Sequence, residues 1–417
     1  MILMSKNMPK VSPLAPASFP EMPEIAGVRL GTAASGEHYI DRDDLFLASF
    51  SAGTRVAGVL TESNTPGEPV KWCRQLLKRG RARGLVVNSG NANVFTGRMG
   101  ELAVSRTAKM AAKCLGVSDD EIFVASTGVI GEQLDYKRIL GVLPSVSQTL
   151  KTELWLSAAK SIMTTDTFPK GAWRETNIDG YPVNIVGIAK GSGMIAPNMA
   201  TMLAFLFTDA RLPVQVLNSL VKAETKYSFN SITVDGDTST SDMCLLFATG
   251  QSRGYSGVSS ALDTRLFDFR VALREVMTDL SHQIVRDGEG ASKFIAIKIT
   301  GARSEGSARR VGLVVLNSPL VKTAVAGEDP NWGRLVMAVG RSGEYIKQNN
   351  ITIRMCGHLV ASNGKRARGY NEDVIARLMK DNNIEIEINL SVGNAEARVW
   401  GCDLTHKYVE INSDYRS

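Results

Sequence analysis

The stretch Lys190-Gly-Ser-Gly-Met-Ile-Ala-Pro-Asn-Met-Ala-Thr-Met-Leu-Ala-Phe205 sets the reading of the whole chain. Its glycines and Pro197 are loop and turn punctuation. Met202-Leu-Ala-Phe-Leu-Phe207 is an unbroken apolar run, long enough for a buried strand and short for a helix. Thr201 therefore opens a core strand behind a loop that can bend sharply. A hydroxyl is a poor nucleophile near neutral pH and needs a base beside it. Cutting the Ala200–Thr201 bond would give Thr201 a free α-amine, and an ordinary α-amine pKa of about 7.7–8.0 suits it to accept the proton of its own Oγ. Taken alone, the same residue also reads as a β-former that merely starts a strand.

Working back from that stretch, Val183 to Ala189 is an apolar strand leading into Lys190, and Asp179-Gly180 marks the hairpin turn before it. Lys190 closes an apolar strand eleven residues ahead of Thr201. The sequence Lys190-Gly-Ser-Gly lacks the Gly-Lys-Ser/Thr ending of a phosphate-binding loop, so nucleotide binding is set aside. Leu154 to Met163 is a helix candidate ahead of Thr164-Thr-Asp-Thr167, a cluster that often only caps or turns. Two short apolar strands, Leu85–Asn88 and Glu121–Ser126, each run into a polar, Gly-containing loop, Asn88-Ser-Gly-Asn-Ala-Asn93 and Ser126-Thr-Gly-Val-Ile-Gly131. Loops of this kind commonly face a ligand. Thr127 offers a hydroxyl and Gly128 a backbone N–H, two donors of the type that stabilise an oxyanion. On the residues alone, a plain Gly-terminated βα turn is the preferred reading of them. Trp72 to Arg83 has helical spacing, Glu101 to Leu115 is a second helix, and Ala26 to Arg55 alternates as short strands do. Residues 1 to about 24 are rich in Pro and Ser and read as a mobile or extended arm.

Beyond the apolar run, Pro213 to Ser228 reads as a helix with Pro at its start. Asp235-Gly-Asp-Thr-Ser-Thr-Ser-Asp242 is a turn rich in acceptors without the spacing of a calcium loop, either solvated or walling a site. Met243 to Thr249 is a buried strand, and Leu262 to Arg286 is a long amphipathic helix ending at Asp287-Gly-Glu-Gly290. Glu289, squeezed between two glycines, is either an ordinary surface acid or a carboxylate open to a ligand. Lys293 to Ile299 and Val311 to Leu316 read as strands, with a helix starting near Pro319. Ile351–Arg354 and Ile384–Leu390 alternate like half-exposed strands around a helix from Asn371 to Asp381.

Composition narrows the class. The chain has 417 residues, 44% apolar and 22% charged, the balance of a globular protein with two or three domain-sized units. The net charge of +6 comes from 48 basic residues mostly interleaved with 42 acidic ones. The local runs Lys78-Arg-Gly-Arg-Ala-Arg83 and Lys365-Arg-Ala-Arg368 carry no interleaved aromatics, so solvated helix ends are expected and nucleic acid is not. Five widely spaced cysteines contain no CxxC pair, and the four histidines form no metal motif. A reduced, cytoplasmic, metal-free protein is expected. Neither a signal peptide nor an apolar run long enough to span a membrane is evident.

The segment KGSGMIAPNMATMLAF closely resembles the self-cleavage site of the ornithine acetyltransferase (glutamate N-acetyltransferase) family of arginine biosynthesis. So do NSGNAN, STGVIG, the VDGDTSTSD string with Ser241 in place of the common Asn, DGEGA, GEDPNWGR and the C-terminal segment. Ala196 replaces a His that many members carry, outside the bond to be cut. The resemblance implies an α/β fold of the DmpA/ArgJ-like, Ntn-hydrolase-like kind, with layered sheets and helices and an N-terminal Thr nucleophile. It implies cleavage between Ala200 and Thr201, giving an α chain of residues 1–200 and a β chain of residues 201–417 interleaved in one core. It assigns the oxyanion hole to Thr127 and Gly128, and substrate contacts to Thr164, Lys190, Thr201, Glu289, Asn412 and Ser417. Within the TTDT segment the contact is placed on Thr164 rather than Thr165.

The activity implied by this resemblance is acetyl transfer. Thr201 takes the acetyl group of N-acetylornithine and passes it to glutamate, with no cofactor, although acetyl-CoA is a co-substrate in some members of the family. The α and β chains are expected to assemble as a heterotetramer of two of each. The same nucleophile with water as acceptor would make an amidase or peptidase, and an uncut chain would be a binding protein only.

Overall fold

The computed structural model describes residues 10–196 and 202–413. The chain forms two compact units, Ala17–Asn230 with Asp237–Ser281, and Met1–Pro16 with Ser231–Gly236 and His282–Ser417. The first unit begins with β1 (Val28–Ala33), β2 (Leu45–Phe50), β3 (Arg55–Leu60), α1 (Glu68–Leu77), β4 (Gly84–Asn91) and α2 (Gly97–Leu115). It continues through β5 (Ile122–Val129), α3 (Tyr136–Gln148), α4 (Trp155–Ser161), β6 (Lys170–Ile178), β7 (Tyr181–Lys190), β8 (Leu203–Thr208) and α5 (Val214–Thr225). After β9 (Ile232–Thr233), which belongs to the second unit, come β10 (Met243–Ala248) and α6 (Phe267–Arg286).

Period-two patterning builds the first unit. One sheet has the order β1-β2-β4-β5 and the other β3-β10-β8-β7-β6. Phe46, Phe50, Leu85, Val87 and Phe123 of the first sheet share one core with Val186, Ile188, Leu203, Phe205, Phe207, Leu245 and Phe247 of the second. Their alternating neighbours Leu45, Leu47, Val86, Ile122 and Val124 turn the other way, onto α2 and α3. On the outer side of the second sheet, a Cβ on Gly187 would stand 2.7 Å from Leu280 of α6, so glycine is what lets that helix approach. The layers run helix, sheet, sheet, helix, the α/β arrangement of stacked sheets that the sequence leads one to expect. Strands β7 and β8, from either side of the Ala200–Thr201 bond, pair antiparallel with Lys190 opposite Leu203. Both flanks of that bond thus belong to one sheet.

The second unit continues with β11 (Phe294–Ala302), α7 (Glu305–Leu316), α8 (Pro319–Ala326), α9 (Trp332–Gly340), β12 (Thr352–Met355) and β13 (His358–Ser362). It closes with β14 (Lys365–Arg366), α10 (Glu372–Leu378), β15 (Asn383–Asn389), β16 (Ala395–Cys402) and α11 (His406–Ser413). Its sheet has the order β14-β13-β12-β15-β11-β16-β9. Ile295, Ile297 and Ile299 of β11 and Ile384, Ile386 and Ile388 of β15 pack with Val311 and Val315 of α7, Val339 of α9 and Ile375 of α10.

Several local expectations need correction. Val311–Leu316 is the end of helix α7, not a strand. Ser304 caps that helix by accepting the Ser307 N–H, and the buried positions Ala308, Val311, Gly312 and Val315 recur at helical spacing. A short apolar run cannot be assigned by periodicity alone. The helix expected over 72–83 is α1, which starts earlier, with Pro69 in its first turn, and ends at Leu77, because Gly80 has φ +63°. The run Lys78–Arg83 is accordingly a turn leading into β4, where Arg79 pairs with Asp120 and Arg83 donates to the Phe50 carbonyl. Lys365 and Arg366 form an exposed edge strand rather than a helix end. From residue 10 onward the N-terminal arm is extended but anchored. Leu14 is buried, Ser12 donates to the Arg286 carbonyl, and the Trp155 indole donates to the Pro23 carbonyl.

His282 supplies a pH-sensitive element of the second unit. Its ring meets the edges of Phe294 and Trp400, and its buried Nε2 has no hydrogen-bond partner among the described residues. Burial, assisted by the Arg286 charge, pushes its pKa down to about 4. The unfolded chain binds this proton near pH 6.5 and the folded chain only near pH 4, so the folded state is favoured fully above 6.5 and progressively less as pH falls towards 4. Urea unfolding measured at pH 7 and at pH 4.5 should show a larger drop in midpoint for wild type than for H282L.

Candidate active site

The two expected ligand loops are longer strands than their composition suggests. Strands β4 and β5 continue through Asn91 and Val129, with Gly90 opposite Gly128 at an irregularity in the ladder. Gly128 has φ +133°, and a Cβ there would lie 2.1 Å from the Gly90 backbone. No other residue fits, so the glycine is demanded by the close approach of two strands. The asparagines of the first loop are spent on backbone fixation. Asn88 Nδ2 donates to the Asn91 carbonyl at 2.9 Å, Asn91 Oδ1 accepts the Asn93 N–H at 2.9 Å, and Ser126 Oγ donates to Asn88 Oδ1 at 2.6 Å.

Strand period places Thr127 and Lys190 on the inner faces of their two sheets, in line with Phe123 and Ala125 on one and Val186 and Ile188 on the other. Lys190 is 4% exposed. Its Nζ donates to Thr127 Oγ1 at 3.2 Å and to Thr164 Oγ1 at 2.9 Å. Three of the expected site residues, from β5, from the turn after α4 and from β7, therefore meet through one ammonium. It is Thr164 whose hydroxyl Lys190 reaches.

A residue missed from the sequence holds this cluster. Asp166 is buried beneath it and accepts the Lys170 ammonium at 2.6 Å, the Gly191 N–H at 2.7 Å and the Thr164 N–H at 3.0 Å. Burial alone would raise its carboxyl, but the charge of Lys170, then that of Lys190, overrides this and holds it well below the usual carboxylate range. The acid thus stays ionised and fixes the backbone on both sides of the Lys190–Thr164 contact. The Asp in Thr164-Thr-Asp-Thr167 was visible, but nothing local distinguishes a turn cap from a buried counter-ion.

Thr127, Lys190, Met202, Leu203, Ser239, Ser241 and Asp242 line one small pocket. Ser239, Ser241 and Asp242 of the acceptor-rich turn thus line this pocket. Thr201 and Ala200 lie outside the described residues, as does Ser417. Met202, next in the chain after Thr201, is on the pocket wall.

In the second unit, Glu289 is 8% exposed rather than open, because the C-terminal helix covers it. Asn412 Nδ2 donates to Glu289 Oε2 at 2.7 Å and to the Tyr408 carbonyl at 2.9 Å. Thr405 Oγ1 donates to the Gly290 carbonyl at 2.7 Å, and Gly290 takes φ +72° with no room for a Cβ against Lys407 and Tyr408. Two more expected residues are thereby joined although 123 positions separate them. The GEDPNWGR segment joins α8 to α9. Asn331 caps α9, and Arg334 donates to the Leu320 carbonyl at 2.7 Å. No group of His, Cys, Asp and Glu arranged to hold a metal occurs among the described residues.

The model of the ArgJ family matches residues 29–417. The arginine biosynthesis bifunctional protein ArgJ of Bradyrhizobium diazoefficiens is 51% identical over 409 residues, covering 98% of this chain and 99% of that protein. The protein of the same description from Gluconobacter oxydans is 50% identical over 415 residues, covering 99% and 98%. Among solved structures, the arginine biosynthesis bifunctional protein argJ of Bacillus halodurans is 38% identical over 51% of this chain and 98% of its own, with a TM-score of 0.48.

The buried ion pair yields a stability prediction. D166N removes the carboxylate from a fully buried lysine, Lys170. By analogy with other buried pairs that lose one partner, the cost is about 3–5 kcal/mol. Chemical denaturation should show a correspondingly lower midpoint with the slope unchanged.

Proposed function

The chain belongs to the ArgJ family, and on that premise we propose that it is a self-cleaving acetyltransferase that moves the acetyl group of N-acetylornithine to glutamate. Thr201 Oγ attacks the Ala200 carbonyl carbon, the Ala200–Thr201 C–N bond breaks, and the freed nitrogen takes the proton. Water then hydrolyses the resulting ester, leaving residues 1–200 and 201–417 as two chains. In the mature enzyme the α-amine of Thr201 accepts the Oγ proton as Oγ attacks the acetyl carbonyl. Ornithine leaves with that proton, and the acetyl-Thr ester is then attacked by the amine of glutamate. The two half-reactions make the order ping-pong.

The observation that carries this reading is the junction of Lys190 with Thr127 and Thr164, with Lys190 and Thr127 lining a pocket that is also walled by Met202, the residue that follows Thr201. A nearby ammonium favours the neutral, basic form of an α-amine. It also suits a substrate carboxylate, to which it makes a charge-assisted hydrogen bond. Thr127 and the backbone at Gly128 serve the oxyanion of the tetrahedral intermediate. Glu289, held by Asn412, supplies a carboxylate for the α-ammonium of an amino acid, and Ser417 a hydroxyl. The relatives are named bifunctional, which supports acetyl-CoA as a second acetyl donor to glutamate. No bound cofactor is required. The working assembly is two α and two β chains in the cytoplasm. No helix among the described residues is long and apolar enough to cross a membrane.

Intact mass under denaturing conditions, with N-terminal sequencing, should give two chains, one beginning Thr-Met-Leu-Ala-Phe. T201A should stay in one piece and lose acetyl transfer. A single uncut wild-type chain would reject the mechanism, and release of free acetate at the rate of ornithine production would make water the acceptor instead of glutamate. T127A removes a proposed oxyanion donor, with a loss in kcat equivalent to about 2.7–4 kcal/mol, read from initial rates of N-acetylglutamate formation.

A further inference from the structure

Among the described residues, Asp242 is the only carboxylate on the wall of the pocket formed by Thr127, Lys190, Met202, Leu203, Ser239 and Ser241. It is fully buried. Its Oδ1 accepts the Met202 N–H at 2.7 Å, while its Oδ2, also buried, has no hydrogen-bond partner among the described residues. The next residue, Met243, donates its N–H to the Met202 carbonyl at 3.1 Å. The Asp242-Met243 pair therefore grips both polar groups of the Met202 backbone. A side chain is not needed to pair two parallel strands, so the Oδ1 contact adds a constraint beyond the β8–β10 ladder.

We propose that Asp242 is a positioning residue for the nucleophile: it clamps the peptide group on the C-terminal side of Thr201 at the wall of the pocket. The inference rests on the reading of Thr201 as a self-cleaving nucleophile. The charge state of the acid suits that task. Burial raises its carboxyl well above the usual range, against the opposing effects of the Met202 N–H, then of Lys190 and of the Thr61 hydroxyl, so the fold favours the protonated acid over the carboxylate. An ionised carboxylate held at Met202, the next residue in the chain, would favour the charged form of the new α-amine of Thr201 and remove the base. It would also compete with Thr127 and Thr164 for the Lys190 ammonium. A neutral acid does neither. Its Oδ1 still accepts the Met202 N–H. The role resembles that of an amide more than that of an anion, which sets the test.

Wild type, D242N and D242A full-length chains are purified and compared by intact mass for the uncut fraction, then by kcat and KM for N-acetylornithine and glutamate. Loss of the clamp in D242A should leave most of the chain uncut and lower the kcat of the processed fraction about a hundredfold, the cost of a small misplacement, with KM changed less than about threefold. D242N keeps an uncharged acceptor for the Met202 N–H, and should recover most of what D242A loses. If D242A is insoluble, D242S replaces it, and D242N decides by itself. Full processing and wild-type kcat in D242A would overturn the inference while leaving the nucleophile in place. A D242N chain as impaired as D242A would also overturn it, because a charge would then be needed. A D242A whose KM and thermal unfolding shift with its kcat assigns the residue to strand packing alone and overturns it as well. An uncut wild-type chain would instead bring down the proposed function itself, and this inference with it.

Discussion

A carboxylate taken entirely out of water must find compensation for its lost hydration, and Asp166 finds it in Lys170, two backbone amides and the field of Lys190. The arrangement constrains everything near it. Thr164 is set by its own N–H on that carboxylate, the start of the Gly-rich loop by the Gly191 N–H, and Lys190 by the hydroxyls it reaches on either side. A flexible lysine at the end of a strand becomes a fixed cation between two hydroxyls. Nothing in this cluster requires a loop to close. It is made by the ends of strands and one turn, which is where positional precision is easiest to obtain.

The rigidity behind that cluster comes from the two packed sheets. Phe50, Phe207 and Phe247 stack between them, with ring centroids 4.5 to 6.1 Å apart. Because β8 lies between β7 and β10, the segment on each side of the Ala200–Thr201 bond is a full member of the same sheet. Breaking one peptide bond there removes no strand from the ladder and opens no core. Within the first unit, the β7–β8 ladder ties the segments on the two sides of that bond together independently of the bond itself.

Some motifs that attract the eye in the sequence have other work. The asparagines after β4 bind their own backbone, and the GEDPNWGR segment caps and joins two helices. Gly90 and Gly128 are required because two strands touch there. Conversely, Asp166 and Asp242 carried no signal of their own, since an Asp in a run of Thr and Ser looks the same whether it caps a turn in water or sits buried against a strand. The strand read at Val311–Leu316 failed for a related reason. Its apolar run is compatible with either period, and the deciding feature was the Ser304 cap upstream.

Sequence alone determined the apolar strands on both sides of residue 200, the hairpin at Asp179-Gly180, the long helix ending near Arg286, and a set of distinctive segments spread over nearly the full chain. These are local properties, written in periodicity, turn residues and short motifs. Tertiary structure decided which of those segments meet. It brought Thr127, Thr164 and Lys190 to one point, joined Glu289 to Asn412, and buried Asp166 and Asp242 beneath or beside the pocket. Such contacts depend on sheet order and on the loss of water around a charge, and neither is encoded by the neighbours of a residue along the chain.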